Sequence, residues 1–247
     1  MSGHNKWSTI KRKKGALDAK RSKEFSRIIK EISVAVKEGG SDPDGNPRLR
    51  MAINNAKGVN MPKDNIQRAI SKAEKDPGNL SELTFEGYGP GGIAIFVECL
   101  TDNNNRTISS VRSTLTKRGG NLGTNGSLSF LFERKGIFTI EKGKMNMDEV
   151  ELDLIDAGAQ SIEDDGDFYV ITTDMENFGK MNKKLEELNV EVENASLQRV
   201  PNDTKTLDKE TAMKFLRLVE EVEDNDDVQN VYHNLELTDE LMSEMEE

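Results

Sequence analysis

The chain has 247 residues, with 34 Lys/Arg against 45 Asp/Glu and a formal net charge of −11. That length allows one large domain or two to three small ones, while 34% hydrophobic and 5% aromatic residues limit the cores to modest, mainly aliphatic ones. No apolar run approaches the roughly 20 residues of a membrane helix, the charged N-terminus lacks the apolar stretch of a secretory signal, and the single Cys99 excludes an internal disulfide framework. A reducing compartment, the cytoplasm, is the expectation.

Net charge hides a polarity. Residues 1–80 carry 18 Lys/Arg against 9 Asp/Glu, residues 81–135 carry 6 against 5, residues 136–202 carry 6 against 16, and residues 203–247 carry 4 against 15. A polyanion is therefore attracted to the front of the chain and repelled by the rear.

In chain order, residues 1–16 lack apolar periodicity and are expected to form an extended basic arm. A helix is predicted from Leu17 to Glu38, because Phe25, Ile28, Ile29, Ile32 and Val36 recur at helical spacing and Gly39-Gly40 stops it. Lys20, Lys23, Arg27, Lys30 and Lys37 fall nearly opposite that apolar face, as a cationic strip. Leu49, Ala52, Ile53 and Ala56 mark a second short helix. Pro62 opens a third, carried by Ile66, Ala69, Ile70 and Ala73. The stretch DPGNLS (76–81) reads as a linker.

Beyond it the period shortens. LTFEGY, a GPGG turn and IAIFVECL predict a hairpin with Ile95, Val97 and Cys99 on one face. A helix over 105–117, a glycine-rich loop and a strand SLSFLF follow. Residues 136–200 then read strand (GIFTIE), helix (148–157), strand (SIED), strand (FYVITT), helix (175–187), strand (VEVENASLQ), which is the ferredoxin-like order. A helix over 208–223 and a strand VQNVYHNLEL come last. The predicted fold is α+β: a basic arm and three-helix domain over 1–80, a discontinuous α/β domain over 81–134 plus 203–247, and an acidic ferredoxin-like domain over 135–202 inserted into it.

Catalytic and metal chemistry find little support. His4 and His233 are the two histidines, and with one cysteine no metal-binding spacing exists. His233, in a strand pattern, is expected at a surface or edge, and Cys99 is expected to be a buried core thiol with nothing near it to lower its pKa. GYGPGG (87–92) lacks the lysine of a phosphate-binding loop and reads as a turn; RGGNLGTNGS (118–127), behind Lys117 and Arg118, could touch an RNA or peptide backbone. EDDGD (163–167) reads as an acidic turn. No catalytic residue, metal, cofactor or small-molecule substrate is assigned.

The basic region remains. Its cations are clustered, and they stand beside Trp7 and His4, which can stack on or hydrogen-bond to nucleotides. The candidate nucleic-acid-binding set is His4, Lys6, Trp7, Lys11, Arg12, Lys13, Lys14, Lys20, Arg21, Lys23, Arg27, Lys30, Arg48 and Arg50, and Lys57, Lys63 and Arg68 widen the footprint with the last two. With no base-reading motif evident, backbone contacts should dominate and binding should weaken as salt rises.

Four stretches carry a resemblance: GHNKWSTIKRKKGALDAKRSKEFSRIIKEI, GGSDPDGNPRLRMAINNAKGVNMPKDNIQRAI, FEGYGPGGIAIFVECLTDNNNRT and VRSTLTKRGGNLGTNGSLSFLFERKG. In order and spacing they resemble the YebC/PmpR family over nearly the whole chain, although KRKKGALD is more lysine-rich than the family's His- and Gln-containing version. The resemblance implies three domains, one helical and two α/β, and no enzymatic activity. It also implies a regulator of gene expression. Bacterial members are labelled probable transcriptional regulators. Mitochondrial relatives are translational activators, and a role in assisting ribosomes stalled at proline runs is attributed to the family. The implied partners are DNA or ribosomal or transfer RNA, with the ribosome or another protein as a candidate for the acidic face. Composition does not choose between them.

Overall fold

The computed structural model describes residues 17–76, 78–238 and 241, and from residue 21 onward the side chains as well. The fold is α+β, with N-terminal helices followed by two four-stranded antiparallel sheets.

Three helices come first: α1 (Leu17–Gly39), α2 (Pro47–Gly58) and α3 (Lys63–Lys75). Their apolar faces meet in one core of Ile32, Ala35, Val36, Leu49, Ala52, Ala56, Ile66, Ala69, Ile70 and Ala73. Asn46 fixes the first corner. Its Oδ1 accepts from the Leu49 amide, capping α2, while its Nδ2 donates to the carbonyls of Ala35 (2.7 Å) and Gly40 (2.8 Å). A buried amide that uses both its ends stabilises a corner where a lone polar group would destabilise it.

The first sheet contains β1 (Ser81–Tyr88), β2 (Ala94–Thr101), β3 (Asn121–Leu122) and β8 (Val228–His233), in the order β3-β1-β2-β8. β1 and β2 form the hairpin, Tyr88 pairing with Ala94 across the Pro90–Gly92 turn. Ile95, Val97 and Cys99 point into a core shared with α4 (Asn104–Lys117) and α7 (Lys209–Glu223), while Ala94 and Phe96 face a smaller cluster with Leu128, Phe132 and Tyr232. Gly87 is required by proximity: a Cβ there would lie 2.3 Å from the Asn121 carbonyl oxygen.

Asp227, 5% exposed, anchors α4 to the segment leading into β8. Its carboxylate accepts from Arg106 Nη2 and from the Thr107 hydroxyl, each at 2.8 Å. The Arg106 pKa is raised, first by that bond and then by the one to Asp102.

The second sheet runs β5-β6-β4-β7 from β4 (Phe132–Glu141), β5 (Ala159–Asp165), β6 (Phe168–Asp174) and β7 (Asn194–Pro201), with α5 (Met147–Asp156) and α6 (Phe178–Glu187) in the crossovers. That strand order is the ferredoxin-like one. Phe138, Ile140, Leu154, Ile171, Met181 and Leu185 fill the core beneath it. Of EDDGD, Glu163, Asp164 and Asp165 end β5, and Gly166-Asp167 make the hairpin turn into β6, with Gly166 at φ 67°.

Two compact units result. One takes in Gly78–Glu133 and the segment from Val200 onward, with the start of α1 up to Lys23; the other takes in Glu24–Pro77 and Arg134–Arg199. The three-helix core and the ferredoxin-like sheet therefore belong to the same unit.

Three local expectations are corrected. SLSFLF is not a strand: Glu86, 4% exposed, accepts from the Gly126 amide (2.7 Å) and the Leu128 amide (2.5 Å), capturing donors that a ladder would need. The strand starts at Phe132 instead. VEVENASLQ is strand only from Asn194 onward, residues 190–192 being the approach to it. His233 is fully buried rather than superficial, its ring edge-on to Phe215 at 5.3 Å between centroids.

Candidate nucleic-acid interface

The predicted basic residues divide by what the structure describes. His4, Lys6, Trp7, Lys11, Arg12, Lys13 and Lys14 lie outside the described residues. Lys20 is in α1, though its side chain is outside the description. Arg21 is exposed. Lys23 is half-buried and donates to Asp224 at 3.0 Å. Further along α1, Arg27 and Lys30 are half-buried, and Val34 on that same side is only 4% exposed. The strip opposite the apolar face is therefore not an open cationic surface along its whole length, as its spacing had suggested.

Arg48 is engaged within the helical domain. Its Nε donates to Glu31 at 2.8 Å and its Nη1 to Glu38 at 2.7 Å, so the guanidinium ties α2 back to α1. A cation already shared between two carboxylates adds little attraction for phosphate. Arg50 is half-buried, with Nη1 3.5 Å from the Asp44 carbonyl.

Sequence reasoning passed over the outer face of α4. Asn105, Ser109, Arg112, Ser113, Thr116 and Lys117, with the apolar Ile108 among them, line a shallow depression of about 600 Å³. The signal was present as an absence, since residues 103–132 contain no Asp or Glu. At the helix end, Arg118 bonds Glu221, with Lys117 3.5 Å from the same carboxylate. That carboxyl is held below its ordinary range, chiefly by Arg118. The glycine-rich loop behind it is fastened by Glu86.

The acidic helix α5 has its own character. On α5, Leu152 is 78% exposed and Ile155 51% exposed, among the exposed carboxylates Asp148, Glu149, Glu151 and Asp156. Cys99 is buried. Among the described residues no group of three or more His, Cys, Asp or Glu is arranged to hold a metal ion, and no helix is long and apolar enough to cross a membrane.

Residues 5–76 match the model of the TACO1/YebC protein N-terminal domain, and residues 80–235 that of the TACO1/YebC second and third domain. A "probable transcriptional regulatory protein" of Rubrobacter xylanophilus is 47% identical over 99% of each chain. Proteins of the same name from Chlorobaculum parvum and Amoebophilus asiaticus are 46% and 49% identical, covering 100% and 95% of this chain and 100% and 98% of their own. The crystal structure of a conserved hypothetical protein, Aq1575, from Aquifex aeolicus superposes with a TM-score of 0.82 at 42% identity, over 90% of this chain and 93% of that one.

Proposed function

The chain belongs to the TACO1/YebC family, and from that premise we propose that it is a non-enzymatic, cytoplasmic regulator of gene expression that acts by binding nucleic acid. Charge polarity carries the reading: 18 Lys/Arg against 9 Asp/Glu in residues 1–80, and 4 against 15 in residues 203–247. Such a chain meets a polyanion front first. The N-terminal basic residues then supply mainly phosphate contacts, which set affinity and register more than sequence preference. The names of the relatives favour DNA and transcription as the setting.

One observation favours a second reading, a ribosome-associated factor that binds ribosomal or transfer RNA and relieves stalling at proline-rich sequences. Helix α3 mixes exposed Lys63, Arg68 and Lys72 with Asp64 and Glu74. Its Arg68 turns back onto the Asp64 carbonyl and the Asn65 side chain. A helix that reads base edges presents bidentate donors outward; this one keeps its guanidinium on itself. In this reading the acidic face of α5, with Leu152 and Ile155, is the surface left for a protein.

Crosslinking the protein in cells and sequencing the attached nucleic acid tests both. A few promoter fragments support transcription, and ribosomal or transfer RNA supports translation. Recovery of neither above the background of an uncrosslinked sample would overturn the nucleic-acid reading.

A further inference from the structure

We propose that the outer face of α4 is a separate contact surface, built to lie against the backbone of RNA. The inference rests on the nucleic-acid reading above and names a surface apart from the N-terminal basic region. Three observations on the chain converge on it.

The first is composition. Residues 103–132 hold Arg106, Arg112, Lys117 and Arg118 without one carboxylate, where the chain's average would place about five. Few stretches of this acidic molecule repel phosphate so little.

The second is placement. Asn105, Ser109, Arg112, Ser113, Thr116 and Lys117 recur at intervals of three and four, so they share one side of the helix. Thr107, Val111 and Leu115 occupy the other side and are buried in the core. The Asn103 side chain caps the helix by accepting from the Arg106 amide, and Asp227 grips its first turn. The polar face is thereby held in one orientation, which lowers the ordering cost of binding.

The third is how the cations are used. Arg106 is committed to Asp227 and Asp102, and Arg118 to Glu221. Arg112 sits exposed in the middle of the face, and no carboxylate pairs with it among the described residues. Lys117, 70% exposed, stands at the rim, 3.5 Å from the Glu221 carboxylate that Arg118 holds.

The chemistry of this face selects RNA. Serine and threonine hydroxyls and the Asn105 amide are short donors and acceptors. They cannot reach the floor of a deep groove, but they suit the wide, shallow minor groove of A-form RNA, where 2′-hydroxyls both donate and accept. Arg112 and Lys117 then meet the flanking phosphates. DNA offers the phosphates without the 2′-hydroxyls.

The test uses the full chain and fluorescence anisotropy with a labelled RNA hairpin and the DNA hairpin of the same sequence, each over a range of salt. Three variants are compared with the wild type: Arg112→Glu, the pair Ser109→Asp and Ser113→Asp, and an arm variant with Lys11, Arg12, Lys13 and Lys14 all changed to Ala. Arg112→Glu is expected to weaken RNA binding about tenfold or more and to reduce the salt slope by about one. The serine pair is expected to weaken RNA binding to a similar extent with the melting curve unchanged, which keeps the test independent of any folding effect of Arg112→Glu. Unchanged RNA affinity in both face variants, with weakened binding in the arm variant, overturns this surface while leaving the nucleic-acid reading intact. Equal affinity for the two hairpins, equally reduced by the face variants, overturns the assignment to RNA. If wild type binds neither hairpin at low salt, both readings fall.

Discussion

Asn55 and Ala195 exchange two hydrogen bonds: Asn55 Nδ2 donates to the Ala195 carbonyl at 3.0 Å, and the Ala195 amide donates to Asn55 Oδ1 at 2.9 Å. Asn55 is on α2 and Ala195 on β7, the end strand of the ferredoxin-like sheet. An end strand presents backbone groups without a ladder partner. Here a side-chain amide stands in for the missing strand. Three residues on, Gly58 lets the chains approach, since a Cβ there would lie 1.7 Å from the Glu193 carbonyl oxygen.

Asn55→Ala removes both bonds and leaves the Ala195 amide and carbonyl of the sheet edge to water. The expected destabilisation is about 2 kcal/mol in urea unfolding, with faster hydrogen exchange at Ala195. Gly58→Ala, which forces the two backbones apart, should cost about 1–3 kcal/mol. If both variants melt like the wild type, this junction contributes nothing to stability.

Glu86→Ala frees the amides of Gly126 and Leu128 from their carboxylate. A buried donor left without an acceptor costs about 1–3 kcal/mol, and exchange of amides 123–131 should accelerate selectively. Glu86→Gln, which retains one acceptor oxygen, should fall between the two. Uniform acceleration across the molecule would argue against a local clamp.

Asp208 caps α7, accepting from the Thr211 amide at 3.0 Å, and that bond holds its carboxyl below the ordinary 3.8. A depressed carboxyl contributes stability that is present above its unfolded value and lost as pH falls through the folded one. Asp174 beside Lys135 and Glu191 beside Lys144 shift in the same direction. Replacing Asp208 with Asn keeps the cap's acceptor and removes the titration. Wild type should therefore exceed the variant in stability at neutral pH, and the gap should narrow below about pH 4. A gap that is constant between pH 7 and pH 2 would contradict this assignment.

Neutralising Lys11, Arg12, Lys13 and Lys14 should flatten the dependence of nucleic-acid affinity on salt. The slope should fall by about 0.9 for each duplex phosphate the arm no longer neutralises, or by about 0.7 on a single strand. Affinity measured over a salt series reads this directly. An unchanged slope would remove the arm from the interface.

Arg48 shows where reading a one-dimensional pattern reaches its limit. In the sequence it is a cation in a basic region, indistinguishable from Arg50; in the fold it lies between Glu31 and Glu38. A charge is a property of one residue, whereas its availability depends on neighbours that the fold delivers. Val34 makes the same point on α1, being buried on the side that helical spacing assigns to the solvent. SLSFLF alternates like a strand, but Glu86, more than 40 positions earlier, takes the Leu128 amide.

By itself the sequence determined most of the elements, their apolar faces and the charge polarity, because periodicity, capping residues and net charge are local sums over neighbouring residues. Helices α1 to α3, the β1–β2 hairpin, the ferredoxin-like succession of elements and the basic front were all legible on that basis. Tertiary structure decided what pairs across long separations: Asn55 with Ala195, Glu86 with the glycine-rich loop, and Asp227 with α4. These pairings depend on directional bonds that form only once packing has brought distant backbone together, and no local pattern encodes that approach.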